Sequence, residues 1–473
     1  MRAELGTRTF AAADLDWFAA ASGDYNPIHV DAVAARRLLT GSLVVHGMYT
    51  LLWALDRHFA TGGGPCEGVA AYFPHPVRPG EALVVTREAA DDAVRLSVMR
   101  AGEEVAILTL KGSADTMSRH SLRRGNGRPG RGIPVEHTFD ALRGLSGSLA
   151  VDFDAADIAL EFPHVAEAMG ETVVAAFATL SRLVGMEAPG LHSLFAGLDI
   201  RLDRDADDQA MQWEVIRHTI PVAPLRLKVS GGRIAGHVEA IMRPAPIMQP
   251  QMHEVAGLIE AGAFSGQRAL IVGGSRGLGE VTAKLVAAGG GEALITYLTG
   301  RADAERVVAE IEAWGGRCAA IAADASQPEA LLLALGERQF VPTHIYYFPT
   351  PKISKQKGFC FNLAAHYDYV HIYVDAFSRL VSGCAGAAEG QPVRVFYPST
   401  AFLDENPKGF AEYITAKAAG EAMCRYLEKT LANLRIDVRR LPRLKTDQTT
   451  SLIPQTVAAL LPQMVRVVTD MNS

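Results

Sequence analysis

The apolar positions change period along the chain, and the change divides it. Over residues 1–117 the pattern predicts a helix at Ala12 to Ser22, a short helix around Ala32 to Leu39, and a long apolar helix from His46 to Phe59. Strand-like runs follow at Gly68 to Phe73, Ala82 to Glu88, Val94 to Arg100 and Glu104 to Lys111. A long central helix wrapped by an antiparallel sheet fits that order. Residues 135–245 repeat the plan: a helical run from Glu171 to Leu183, then strand-like runs at Ser193 to Leu202, Gln212 to Thr219, Leu225 to Val229 and Gly232 to Met242. From about residue 262 to 473, short apolar runs such as Ala269 to Val272 and Ala293 to Tyr297 alternate with helical stretches such as Leu278 to Ala288 and Asp303 to Trp314. That alternation predicts a parallel sheet with helices on both faces.

Two breaks separate these regions. Ser118 to Pro134 carries Arg119, Arg123, Arg124, Arg128 and Arg131 among Gly, Ser and Pro, without apolar periodicity. It reads as a connector; an anion-binding role for its arginines stands beside that reading. Arg243 to Pro250 holds three prolines in eight residues, which excludes regular helix and central strand. A length of 473 residues fits about three domains at roughly 150 residues each. The formal net charge of −6 argues against nucleic acid or an anionic membrane as a partner. Five scattered cysteines without a C-x-x-C pair suggest reduced thiols and no metal site. No secretory signal and no apolar run of about 18 residues is seen, so a cytoplasmic protein is expected.

The densest chemistry lies in Ser22-Gly23-Asp24-Tyr25-Asn26-Pro27-Ile28-His29. Gly23 permits unusual backbone angles, while Pro27 fixes its own φ and pushes Asn26 towards extended backbone. A rigid loop of this kind aims Asp24 and His29 at one point, where carboxylate and imidazole can do general acid–base work. The stretch Phe18-x-x-Ala21-Ser22-Gly23-Asp24-x-Asn26-Pro27-Ile28-His29-x5-Ala35, with Gly41 to Gly47 and Pro76 to Glu81, closely resembles the MaoC-like, or (R)-specific enoyl-CoA hydratase, family. The resemblance implies a hot-dog fold with Asp24 and His29 as the catalytic pair. It implies that Asn26 fixes the water or Asp24, and that the backbone N–H of Gly47 receives the thioester oxygen at a helix N-terminus. Residues 135–245 lack such a loop and look like a second, degenerate hot-dog.

A second chemistry is carried by Gly273-Gly274-Ser275-Arg276-Gly277-Leu278-Gly279, after a strand and opening a helix. With Tyr413-x-x-x-Lys417 and Ser399 upstream, it resembles the short-chain dehydrogenase/reductase family. By that resemblance Tyr413 donates a proton to a carbonyl. Lys417 lowers the tyrosine pKa and binds the nicotinamide ribose, and Ser399 hydrogen-bonds the carbonyl oxygen. Gly273, Ser275, Arg276, Gly277, Leu278 and Gly279 would bind the cofactor, the glycines letting backbone approach its diphosphate; Asp324 would contact adenine, and Thr446 lies near the carboxamide-contacting threonine. The second strand ends Thr296-Tyr297-Leu298-Thr299 without an acid, and Arg276 suits a 2′-phosphate, so NADPH is expected over NADH. Departures are Val272 before the first glycine, Ile345 to Pro349 where Asn-Asn-Ala-Gly is usual, no helical Asn at His371 or Ile372, and Leu441-Pro442-Arg443 for Pro-Gly.

The expected architecture is therefore an α+β double hot-dog (1–117 and 135–245) followed by an α/β Rossmann domain (262–473), a doubly wound parallel sheet. The expected enzyme is a bifunctional 3-oxoacyl thioester reductase and (R)-3-hydroxyacyl thioester dehydratase, or enoyl hydratase. The alternative is a hydratase whose reductase domain is structural or only binds nucleotide. The expected partners are an acyl-CoA or acyl carrier protein thioester, with no metal, and a homo-oligomer, dimer or tetramer, as both families imply.

Overall fold

The change of period resolves into two sheets in a computed structural model of the chain. The structure describes residues 2–90, 93–112, 127–203, 209–220, 223–353, 355, 361–452 and 456–472. Arg119, Arg123, Arg124 and Cys360 lie outside them. The chain forms two units, Met1–Ala245 and Pro246–Ser473.

In the first unit the strands are β1 (Ala3–Thr9), β2 (Gly68–Tyr72), β3 (Ala82–Ala90), β4 (Ala93–Arg100), β5 (Glu103–Lys111), β6 (Ser146–Ala150), β7 (Ser193–Leu202), β8 (Ala210–Arg217), β9 (Leu225–Gly231) and β10 (Ile234–Met242). They make one antiparallel sheet ordered β1-β3-β4-β5-β2-β7-β10-β9-β8-β6. Read inward from either edge, both halves have the same order, edge strand first and junction strand last. The halves meet at β2 and β7, where Ala70 lies opposite Asp199. A helix fills the same place in each: Gly47–Ala60 between β1 and β2, Glu171–Arg182 between β6 and β7.

These residues form these elements for local reasons. In β3, Leu83 and Val85 are buried while Val84 and Thr86 are half-buried, the period-two alternation of a sheet packed on one face. Gly23, at φ +78, ends the helix Ala12–Ser22 in the left-handed conformation, and its N–H donates to the Ala19 carbonyl. Leu51, Leu55, Val85 and Val98 of the first half share one core with Val173, Phe177, Leu198 and Val238 of the second. Each such fully buried side chain contributes about 1.5–3 kcal/mol. Polar contacts lock the halves as well. Asp56 Oδ1 accepts the N–H groups of His164 and Val165 at 2.8 and 3.2 Å, capping the helix Pro163–Met169.

The second unit holds β11 (Arg268–Val272), β12 (Glu292–Tyr297), β13 (Arg317–Ala322), β14 (His344–Tyr347), β15 (Val393–Thr400) and β16 (Leu434–Leu441), all parallel. Their order, β13-β12-β11-β14-β15-β16, is that of a doubly wound dinucleotide-binding sheet. Alternate residues feed separate cores: Leu270, Tyr347 and Val395 on one face, Ile271, Tyr346 and Phe396 on the other. The order reverses between β11 and β14, and the glycine loop leaves β11 at that point.

Candidate active sites

Asp24 follows the Gly23 helix end and is only 2% exposed. Its Oδ2 faces His29 Nε2 at 3.8 Å. His29 sits in the short helix Pro27–Val30, and its Nδ1 lies 2.6 Å from the Val44 carbonyl. A carbonyl only accepts, so Nδ1 carries the proton and a neutral His29 leaves Nε2 free as a base towards Asp24. Burial pushes the Asp24 carboxyl up and the His29 imidazole down; their mutual attraction opposes both shifts. Burial thus favours a neutral pair, holding one proton between an acid and a base.

The rest of the site comes largely from the second half. Ser181, on the helix Glu171–Arg182, donates its hydroxyl proton to Asp24 Oδ2 at 2.7 Å. Gly185 lies in the π-helical turn Leu183–Glu187 that ends this helix, and a Cβ there would overlap the Asp24 carboxylate. Asn26 departs from its expected role. Its Nδ2 donates to the carbonyls of Gly185, Gly190 and Leu191 at 2.8, 3.1 and 3.3 Å, and its Oδ1 accepts the Ile28 N–H. Only its backbone N–H reaches Asp24, at 3.2 Å to Oδ1. Its side chain is consumed in tying the loop to the second half, because a buried amide takes every partner within reach.

Sequence reasoning missed His46 as a site residue. Its ring stacks on His29 with centroids 3.8 Å apart, and its Nε2 lies 3.1 Å from the Asp24 carbonyl. Burial and the nearby His29 hold it well below the usual imidazole range, so it stays neutral. The nearest legible signal was its place directly before the central helix. Asp24, His29 and His46 offer ligand atoms within 4.8 Å of one another. The rings stack at 22°, so their lone pairs run in near-parallel planes and do not converge on one ion. Gly47 opens the central helix beside His46, so its N–H has no intrahelical acceptor. Of the arginine-rich connector, Arg128 forms two 2.7 Å bonds to Asp157, and Arg131 lies over the Tyr25 ring at 5.2 Å.

In the second unit the loop after β11 can approach a diphosphate. Gly273 has φ +80, and its N–H donates to Thr296 Oγ1 at 3.0 Å. A Cβ at Gly279 would overlap the Gly273 backbone, so glycine is required for the loop to fold against the helix Gly277–Ala288. Ser275 is buried, Arg276 caps that helix with Leu278 in its first turn, and Thr446 Cγ2 is the one neighbour a Cβ at Gly277 would meet, at 3.8 Å. Arg276 Nη1 lies 3.8 Å from Asp447. Asp324, just past β13, accepts the Ser326 N–H at 2.8 Å. The loop fits a dinucleotide: its glycines leave the room and the helix N-terminus supplies the donors.

The Tyr–Lys set differs from expectation in two respects. Ser399 does not accompany Tyr413: its hydroxyl donates to Glu421 Oε1 at 2.6 Å, and Glu421 is held by Arg440. The hydroxyl that acts on Tyr413, easing the cost of ionising it, is that of Thr400. Neighbouring strand residues point to opposite faces, so only one of Ser399 and Thr400 can face the tyrosine. Lys417 engages other groups than Tyr413. Its Nζ donates to the Pro398 carbonyl at 2.7 Å and lies 3.8 Å from the centroid of the Tyr373 ring. Burial pushes Tyr413 up to about 12 and Lys417 down to about 7. Where the family's helical Asn was sought, His371–Ala376 forms a π-helical turn. The Ile372 carbonyl there accepts the Tyr347 hydroxyl at 2.9 Å.

No curated protein matches the chain. Three solved structures are similar to a part of the chain. A short chain dehydrogenase from Burkholderia cenocepacia in complex with NADP is 25% identical, over 43% of this chain and 89% of that one, with a TM-score of 0.38. A dehydrogenase/reductase from Sinorhizobium meliloti is 21% identical over 46% and 91%, with a TM-score of 0.39. FolM alternative dihydrofolate reductase 1 from Brucella suis in complex with NADP is 18% identical over 43% and 87%, with a TM-score of 0.38. No helix among the described residues is long and apolar enough to cross a membrane. Residues 3–106 match the family model of the MaoC like domain, so the loop carrying Asp24, Asn26 and His29 lies within a MaoC-like domain.

Proposed function

We propose that the first unit is a double hot-dog enzyme that adds and removes water across the double bond of a trans-2-enoyl thioester, carried on coenzyme A or acyl carrier protein. The observation that carries this reading is the buried Asp24–His29 pair, with Oδ2 3.8 Å from Nε2, within a MaoC-like domain. In dehydration the basic member takes the α-proton of an (R)-3-hydroxyacyl thioester. The acidic member protonates the β-hydroxyl, which leaves as water, and the two groups end with their protons exchanged. The Gly47 N–H suits the thioester oxygen while its charge is enolate-like. Ser181 holds Asp24, and Asn26 holds the loop.

The second unit, in this reading, reduces a 3-oxoacyl thioester to the 3-hydroxyacyl thioester that the first unit dehydrates. NADPH, when bound, supplies the hydride. The residues that would hold it are Gly273, Ser275, Arg276, Gly277, Leu278, Gly279, Asp324 and Thr446, and Tyr413 would protonate the carbonyl oxygen. The absence of an acid after β12, with Arg276 at the helix start, supports the phosphorylated cofactor. A second reading, a hydratase with a structural or nucleotide-binding second unit, is favoured by Ser399 turned to Glu421 and by Lys417 engaged with Pro398.

Two assays decide between the readings. Loss of enoyl absorbance with a crotonyl thioester reports hydration; NADPH oxidation with an acetoacetyl thioester reports reduction. Both proceeding supports the bifunctional enzyme. Hydration alone, with every carrier tried, selects the second reading, and no hydration overturns both.

A further inference from the structure

Arg243 directly follows β10 and is 2% exposed. A guanidinium does not give up its proton, so its burial without a counter-ion is costly. Its Nη2 donates to the Leu191 carbonyl at 2.5 Å, the same carbonyl that Asn26 Nδ2 binds at 3.3 Å. Its backbone N–H donates to the His192 carbonyl at 2.8 Å. Nε and Nη1 have no partner, and no carboxylate among the described residues is paired with it. Burial alone acts on it, pushing it down to about 10. The charge is felt at His29, where it disfavours a second positive charge.

A buried cation with two idle donor nitrogens thus shares a carbonyl with the loop that carries the acid–base pair. Its neighbour Leu191 offers one carbonyl, which cannot cancel a full charge. A thioester carbonyl is likewise neutral and supplies one acceptor. What matches is a stable anion with several oxygens. We propose that Arg243 binds an anionic group of the thioester substrate, either a carboxylate on the acyl chain or a phosphate of the carrier arm. This rests on reading Asp24 and His29 as a thioester hydratase.

The test is calorimetric binding of saturated thioesters, which are not turned over: butyryl-pantetheine (neutral), butyryl-CoA (phosphates) and the pantetheine thioester of a chain ending in carboxylate. The full-length protein should bind at least one charged thioester about tenfold or more tighter than the neutral one. Arg243→Gln should erase that advantage, and Arg243→Lys should retain part of it. An advantage confined to the carboxylate-ended chain assigns the acyl end; one confined to butyryl-CoA assigns the carrier phosphate. Equal affinities in the wild-type protein overturn the inference whether or not the variants fold, as does an advantage that Arg243→Gln leaves intact. Hydration of a crotonyl thioester, measured separately, reports on the underlying reading. Its failure beside an intact anion advantage removes the hydratase and leaves the anion site.

Discussion

The two candidate sites answer burial in different ways. In the first unit, Asp24 and His29 face each other, so the penalty on each charge is partly offset by attraction to the other. Ser181 and the Asn26 backbone add donors to the carboxylate. In the second unit, Tyr413 and Lys417 stand one helical turn apart, yet each engages something else: Thr400 for the tyrosine, the Pro398 carbonyl and the Tyr373 ring for the lysine. Burial pushes both towards their neutral forms, to about 12 and about 7, and neither group relieves the other. The first set is complete within the protein. The second is held by partners other than each other.

The largest expected effect tests the first half of that contrast. Asp24→Asn and His29→Gln should each lower crotonyl thioester hydration about a thousandfold, within the range for a positioned acid or base. A variant keeping a tenth of wild-type rate breaks the assignment. Next, Tyr413→Phe should lower NADPH oxidation about a hundredfold or more. Thr400→Val should cost about tenfold and Ser399→Ala clearly less, because Thr400 acts on the tyrosine while Ser399 is turned to Glu421. The reverse order would restore Ser399 to the site.

Gly185→Ala inserts a methyl group against Asp24. Overpacking of this kind costs about 1–3 kcal/mol, so the melting temperature should fall and hydration with it. Ser181→Ala removes one donor to the carboxylate, pushes the Asp24 pKa further up, and should move the acidic limb of the hydration profile to higher pH with about a tenfold loss of rate. An unmoved limb would mean that Asp24 does not govern it.

The smallest effect concerns Lys417, whose ordinary value is 10.5 and whose folded value is about 7. Between those values the unfolded chain holds more protons than the folded one, so the free energy of unfolding rises with pH. Lys417→Met should flatten that rise in denaturant titrations, while an unchanged slope would mean the lysine is not held neutral.

Much of this was legible in the residues. The helices Ala12–Ser22 and Gly47–Ala60 and the strands from β3 to β5 stand where the apolar runs put them. β1 did not announce itself, because Gly6 interrupts its alternation at a register shift, and β6, Ser146–Ala150, is short, small and on the edge. The loop from Ser22 to His29 stated its chemistry, yet not its surroundings. Ser181 lies 157 residues from Asp24, and nothing local marks it as a partner. Ser399 and Thr400 are adjacent hydroxyls, and only the pleat of β15 decides which one meets Tyr413.

Asn26 has one consequence for anyone seeking a smaller catalyst. Its amide spends itself on three carbonyls contributed by the other half. Cutting the chain between the halves would not liberate a minimal enzyme. It would remove Ser181 and the three carbonyls that fix the loop carrying the acid and the imidazole, leaving a fragment with the right motif and without its supports. The repeat, though doubled in topology, is indivisible in chemistry.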